Sequence, residues 1–166
     1  MTSTKKNTEP YAPGTLEELQ ELMTRSPFHQ WLGLKPESVT PNGIVIGVTL
    51  RPEMTGSSRL RTLHGGVFAA IIDTTASFAI LTRHPGTNLT NDMRVDYHRS
   101  LVMNETGETR IRAVGSIVRA GRTVATGDAQ VLDLEGNLLA SGRAVYMRNS
   151  TAHRATAQVR MGGDVG

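Results

Sequence analysis

One aspartate stands in the middle of a long apolar segment. From Leu63 to Leu81 the chain reads LHGGVFAAIIDTTASFAIL, and Asp73 is its only carboxylate. A carboxylate in apolar surroundings can act as a general base or as a nucleophile. The alternative is structural, because Asp73 could pair with an arginine of the sheet and hold the helix in place. Ser77 lies one helical turn further on the same face, where its hydroxyl could hold the carboxylate or a water molecule.

Two glycines follow a histidine at the start of this segment, as His64-Gly65-Gly66. The first backbone N–H groups of a helix have no partner within it, and glycines let a ligand oxygen approach them closely. The positive end of the helix dipole adds to this effect, so the segment could polarise a carbonyl or hold an oxyanion. The alternative is a glycine-rich helix start in which His64 is only a cap.

Gly65 and Asp73 are too far apart on one helix to act on the same atom. At 1.5 Å per residue, their spacing of eight residues separates them by about 12 Å along the axis and about 80° around it. A nucleophile and an oxyanion donor must both lie about 3 Å from the reacting atom. If both groups serve catalysis, two copies of the helix must meet, and the spacing predicts a homodimer with two shared sites.

The surrounding sequence predicts the elements that carry these residues. Thr15 and Glu18 form a capping box for a first helix, which Pro27 ends. A second helix is expected from about His64 to Arg83, and its apolar residues on all sides indicate that it is buried. Five strands are predicted, at residues 43–50, 91–98, 108–119, 123–134 and 138–147. This order predicts an α+β fold with one curved antiparallel sheet wrapped around the long helix.

Composition and charge restrict the possible classes of protein. Residues 1–14 and 149–166 are expected to be flexible tails around one domain at residues 15–148, with strand 91–98 as a candidate edge for pairing with a second copy. The net charge of +3 is too weak to indicate nucleic acid. The chain has no cysteine, and its five histidines show no metal-ligand spacing. With no signal sequence and no membrane-spanning stretch, a cytoplasmic protein without membrane contact is expected.

These features together resemble the signature of the hotdog-fold acyl-CoA thioesterases, in particular the phenylacetate-degradation (PaaI-type) and 4-hydroxybenzoyl-CoA thioesterases. The resemblance covers about residues 26–148 and rests on the His64-Gly65-Gly66 motif, Asp73, and the small polar residue Ser77. It implies the hotdog fold and hydrolysis of an acyl-CoA to free acid and coenzyme A, with no metal and no cofactor. It also implies that two dimers stack into a tetramer.

The resemblance implies a role for each residue of the motif. The Gly65 N–H polarises the thioester carbonyl, and the adjacent Gly66 contributes to substrate binding. His64 organises the loop that enters the helix. Asp73 of the neighbouring subunit attacks the carbonyl or activates a water molecule. Ser77 positions that water or the carboxylate.

Four further residues are candidates for substrate binding. Thr90, at the start of the next strand, matches a Ser/Thr site in related thioesterases. Relatives commonly carry Asn or Gln six residues before the motif histidine, and this chain has Ser58 at that position. Relatives also carry a small residue at the position of Arg61. Arg119 and Arg122 flank a hairpin turn and could bind the phosphates of coenzyme A.

Two other functions are compatible with the same fold. A non-hydrolytic acyl-CoA-binding or regulatory protein would need the pocket but not the carboxylate, so the presence of Asp73 favours the enzyme. A hotdog dehydratase or hydratase usually pairs a catalytic histidine with a carboxylate in another pattern, and the sequence places no such histidine with Asp73.

Overall fold

The structure is a computed structural model that describes residues 15–57, 59–104 and 109–149. Within these ranges it contains three α-helices, α1 (Leu16–Thr24), α2 (Pro27–Leu32) and α3 (Gly65–Leu81). The strands are β1 (Leu34–Thr40), β2 (Gly43–Leu50), β3 (Thr55–Ser57), β4 (Thr62–Leu63), β5 (Thr87–Tyr97), β6 (Thr109–Ala120), β7 (Val124–Leu132) and β8 (Leu138–Asn149). The expected tails, at residues 1–14 and 149–166, lie outside the described residues except for Asn149, which is the last residue of β8 and not part of a tail. Ser58 also lies outside the described residues.

Six of the strands form one antiparallel sheet around the long helix. Their order is β1-β2-β6-β7-β8-β5, while β3 and β4 form a separate short pair. The helix α3 packs against β2, β6, β7, β8 and β5. Its side chains Ile71, Ile72, Ala76, Ala79 and Ile80 are fully buried. The predicted α+β fold, a curved antiparallel sheet wrapped around a central helix, is therefore confirmed.

Two glycines let α3 lie close to the sheet. A Cβ atom on Gly115 of β6 would lie 2.6 Å from the backbone oxygen of Thr75, and one on Gly127 of β7 would lie 2.9 Å from that of Ala76. Both distances are shorter than real Cβ contacts, so any side chain here would push the helix away from the sheet. These glycines set the depth at which α3 holds its functional residues.

The N-terminal region contains more structure than predicted. The capping box at Thr15 and Glu18 forms, with both of its hydrogen bonds at 3.1 Å. Pro27, however, is the first residue of α2, a position where proline needs no N–H partner. Strand β1 was also not predicted, since Pro36 interrupts its pattern; β1 lies at a sheet edge, where a strand tolerates proline.

The strand after α3 begins earlier than predicted. β5 starts at Thr87 instead of Asn91, and a bulge between Thr90 and Asp92 shifts its register against β8. The predicted position of this strand at a sheet edge is confirmed. No helix among the described residues is long and apolar enough to cross a membrane.

Candidate active site

The histidine of the motif caps α3. The Nδ1 atom of His64 accepts a hydrogen bond from the Gly66 N–H at 2.9 Å, and the helix begins at Gly65. A Cβ atom on Gly66 would lie 2.9 Å from the same Nδ1 atom, so the cap requires glycine there. The backbone N–H of His64 also donates to Met54 at 2.9 Å. His64 therefore shapes the entry to the helix, and the organising role that the resemblance implies for it stays a prediction.

The first N–H group of α3 belongs to Gly65. No described residue accepts a hydrogen bond from it, as expected for the first turn of a helix. Beside it, the hydroxyl of Tyr97 on β5 donates to the Gly65 backbone oxygen at 3.2 Å. A Cβ atom on Gly65 would contact the Tyr97 ring at 3.4 Å, which is an ordinary van der Waals distance.

The carboxylate of Asp73 is half-buried on α3, and a hydroxyl from β5 holds it. Thr90 donates from Oγ1 to Asp73 Oδ1 at 2.8 Å, so the structure brings two of the predicted site residues together. Within the described part of the chain, no arginine or lysine forms an ion pair with Asp73. The described residues thus provide no ion pair of the kind that a purely structural role for Asp73 would need.

A buried tyrosine supports the helix at the same turn. Tyr146 of β8 is 1% exposed, and its hydroxyl donates to the Asp73 backbone oxygen at 2.6 Å. Burial, with the charge of Asp73 as a further cause, raises the pKa of Tyr146 far above its usual value, so this hydroxyl keeps its proton. Sequence reasoning missed Tyr146, although it lies on a predicted strand beside the exposed Met147.

Removing this hydroxyl should cost stability. Tyr146→Phe deletes one buried hydrogen bond and leaves the ring in place, so we expect the free energy of unfolding to fall by about 1 kcal/mol. Urea denaturation of the wild type and the variant measures the difference. Equal unfolding midpoints in the two proteins would mean that the Tyr146 hydroxyl does not hold α3.

Ser77 contacts β5 through an amide side chain. Asn88 donates from Nδ2 to the Ser77 backbone oxygen at 3.0 Å and to Ser77 Oγ at 3.2 Å. Arg148 lies opposite Asn88 in the pairing of β5 with β8, and its Nε atom donates to Asn88 Oδ1 at 3.4 Å. Burial lowers the pKa of Arg148. Sequence reasoning missed Asn88 and Arg148, because their positions depend on a strand pairing that local patterns do not specify.

The two arginines proposed for coenzyme A are exposed at the turn between β6 and β7. Between Arg119 and Arg122, the backbone oxygen of Gly121 accepts a hydrogen bond from Arg148 Nη1 at 3.2 Å. The turn is therefore linked through Arg148 and Asn88 to the Ser77 end of the site. Arg61 has a left-handed backbone with φ of 50°, and its guanidinium donates to the Met103 backbone oxygen at 3.0 Å.

A histidine of α2 also lies near α3. The His29 ring packs edge-on against Phe78 with 5.7 Å between ring centres. Burial lowers the pKa of His29, and the charge of Asp73 opposes this shift. No hydrogen bond joins His29 to Asp73 among the residues that the structure describes. Among the described residues, His29 is therefore close enough to sense the charge of Asp73 but is not hydrogen-bonded to it.

His29 predicts how stability depends on pH. Its pKa is lower in the folded protein than in the unfolded chain, where it is about 6.5, so the unfolded chain binds the proton more readily. Stability should fall as the pH decreases from about 6.5 through the folded pKa. Unfolding midpoints measured across this range for the wild type and His29→Gln test this, since the variant should lose part of the dependence. An identical pH dependence in both proteins would contradict it.

Gly65 and Asp73 contact different parts of β5. Gly65 lies against Tyr97, whereas Asp73 is bound to Thr90, seven positions away along the strand. Two open cavities of about 400 and 390 Å³ lie on the outer face of the sheet, and none of the predicted site residues lines them. Within one chain, the Gly65 N–H and the Asp73 carboxylate thus lie at two different places along β5.

Comparison with known proteins indicates the family to which this chain belongs. The sequence profile of the family described as "Thioesterase superfamily" matches residues 60–140. The medium/long-chain acyl-CoA thioesterase YigI of Escherichia coli is 32% identical over 136 residues, which cover 73% of this chain and 84% of YigI.

Solved structures show the same likeness. A crystal structure of a thioesterase-superfamily protein is 39% identical, with a TM-score of 0.71, and the match covers 80% of this chain and 96% of that one. The phenylacetic acid degradation protein PaaI of Thermus thermophilus is 28% identical, with a TM-score of 0.63 and coverage of 75% and 100%. The chain therefore belongs to the thioesterase superfamily, and it is a thioester hydrolase with the hotdog fold.

Proposed function

We propose that this protein is an acyl-CoA thioesterase in which Asp73 is the catalytic carboxylate. The observation that carries the proposal is the state of Asp73: a half-buried carboxylate on the central helix, bound by the Thr90 hydroxyl and joined to no described cationic side chain. A carboxylate in this setting keeps lone pairs for a reaction. The name of the YigI relative, a medium/long-chain acyl-CoA thioesterase, supports an acyl-CoA as the substrate.

The reaction needs a carbonyl activator and a base or nucleophile. The Gly65 N–H binds the thioester oxygen and stabilises the negative charge that develops there. In one route Asp73 takes a proton from water, and the resulting hydroxide attacks the carbonyl carbon. The carbon–sulfur bond then breaks, and the leaving coenzyme A thiolate accepts the proton from Asp73. In the other route Asp73 attacks the carbonyl carbon directly and expels the coenzyme A thiolate, and water then hydrolyses the mixed anhydride and supplies the proton for the thiolate. Both routes give the free acid and coenzyme A.

The complete site forms between two chains. β5 is an edge strand of eleven residues, and Tyr97 and Leu89 on it are 57% and 65% exposed. An antiparallel pairing that sets Thr90 opposite the partner's Tyr97 brings Asp73 of one chain to the partner's Gly65, and it does so twice. The two-fold axis then crosses β5 near Met93. A second pairing of such dimers into a tetramer is part of the same proposal.

The nucleotide end of coenzyme A is assigned to the turn between β6 and β7. Arg119 and Arg122 are exposed there, and the turn is tied to the Ser77 end of the site by the Arg148 contact to Gly121. Guanidinium groups suit phosphate oxygens, which they bind with two parallel hydrogen bonds.

Release of free thiol from acyl-CoAs tests the proposed activity. A thiol reagent detects coenzyme A directly, and the chain contributes no background because it has no cysteine. We expect turnover on a panel that includes straight-chain and aromatic acyl groups. Binding of acyl-CoA without thiol release from any of them would instead identify a non-hydrolytic acyl-CoA-binding protein.

A further inference from the structure

The orientation of the Asn88 amide follows from its two neighbours. A backbone oxygen only accepts hydrogen bonds, and a guanidinium only donates them. The amide nitrogen must therefore face the Ser77 backbone oxygen, and the amide oxygen must face Arg148. The opposite orientation would set two acceptors together at Ser77 and two donors together at Arg148. The two contacts thus support the same orientation independently.

This orientation determines what the Ser77 hydroxyl can do. Its oxygen accepts the hydrogen bond from Asn88 at 3.2 Å, which leaves the hydroxyl proton for another acceptor. A serine in a helix commonly donates to the backbone oxygen four residues earlier, here that of Asp73. The Tyr146 hydroxyl already occupies that oxygen at 2.6 Å. The backbone oxygen of Asp73, the usual acceptor for a serine at position 77, is therefore already hydrogen-bonded.

A further acceptor for this proton lies on the same face of α3. Side chains on a helix lean toward its N-terminus, and residues four apart share a face, so the Asp73 carboxylate lies one turn from the Ser77 hydroxyl on the same face. Among the described residues, no hydrogen bond joins the two side chains in the single chain. Thr90 donates to Oδ1 of that carboxylate, which has further lone pairs to accept a second donor.

We propose that Asn88 is a positioning residue for the thioesterase reaction, which keeps the Ser77 hydroxyl as a hydrogen-bond donor to the reacting group at Asp73. Arg148 fixes the amide and is itself anchored firmly. Besides Asn88, its guanidinium binds three backbone oxygens, those of His84 at 2.6 Å, Pro85 at 2.9 Å and Gly121 at 3.2 Å. The inference rests on the proposed function.

Asn88→Asp tests the inference because it changes polarity and not shape. The carboxylate keeps the contact to Arg148, but toward Ser77 it can only accept, so the Ser77 proton turns away from Asp73. We expect kcat to fall by about tenfold, while KM for the acyl-CoA stays within about twofold and the melting temperature holds. A purely structural role for Asn88 predicts wild-type kcat, since the variant retains the link to Arg148.

Ser77→Ala separates this effect from the added negative charge. If Asn88 acts through the Ser77 hydroxyl, Asn88→Asp lowers kcat no further in a chain that already carries Ser77→Ala. Should the two losses multiply in the double variant, the inference is overturned, because the new charge then acts on Asp73 without Ser77.

A second variant keeps the test decisive if Asn88→Asp does not fold. Asn88→Ala leaves the three backbone contacts of Arg148 in place and frees the Ser77 hydroxyl to rotate. We therefore expect Asn88→Ala to lower kcat when it is introduced into the wild type. It should lower kcat no further when it is introduced into the Ser77→Ala variant. Unchanged kcat in Asn88→Ala overturns the inference alone. A wild-type protein that releases no thiol from any acyl-CoA overturns the proposed function as well.

Discussion

Asp73→Asn should lower turnover of acyl-CoA by about 10²-fold or more, the scale of general acid–base catalysis. The amide has the shape of the carboxylate, still accepts the Thr90 hydroxyl through its oxygen, and leaves the Tyr146 contact to the backbone untouched. It lacks the negative charge and the basicity that both chemical routes need. Thiol release at saturating substrate measures the loss.

The melting temperature of Asp73→Asn is the control that shows whether the variant is folded. Because no described cation pairs with Asp73, the amide breaks no ion pair, and the melting temperature should hold or rise. Near-full activity in a folded variant would remove Asp73 from the mechanism.

Gly65→Pro should be almost as damaging, with a loss of about 10²- to 10³-fold in kcat, the effect of deleting one oxyanion donor. Proline removes the one N–H group that is assigned to the thioester oxygen. The first position of a helix tolerates proline, because its N–H makes no helical hydrogen bond. His64, the preceding residue, has φ of −66° and ψ of 134°, which suits a residue before proline.

Gly65→Ala is the matched control for this substitution. Its methyl group would make an ordinary contact with Tyr97 at 3.4 Å, and it retains the N–H. We therefore expect alanine to keep turnover within about tenfold of the wild type, well above the proline variant. Equal loss in both variants would mean that steric crowding, and not the missing N–H, explains the damage.

The helix and the motif on it were readable from local sequence, because they depend on neighbouring residues. Apolar residues on all sides of the segment from Val67 to Ile80 predicted a buried helix, and His64 with two glycines predicted where it begins. The hairpins of β6, β7 and β8 followed from short turns. The local pattern was misleading at Pro27, because proline can follow the end of one helix and can also be the first residue of another. It was interpreted as the end of the first helix, and in the structure it is the first residue of α2.

The residues that hold the site in place could not be predicted from the sequence, because their contacts join residues that are far apart in the chain. Tyr146 reaches Asp73 across 73 positions of sequence, and Arg148 meets Asn88 across 60. Such contacts depend on the register of β5 against β8, and the bulge near Thr90 shifts that register. The dimer stays a prediction from the helical spacing, to which the structure adds the exposed edge of β5.

Mixing two inactive variants tests most directly whether the site is shared. Asp73→Asn and Gly65→Pro chains, unfolded and refolded together in equal amounts, form half of their dimers as heterodimers. In each heterodimer the intact Gly65 of one chain meets the intact Asp73 of the other, so one of two sites works. The account predicts recovery of about a quarter of wild-type thiol release. If heterodimers form, as mass spectrometry would show, and no activity returns, each chain supplies its own complete site and the shared site is wrong.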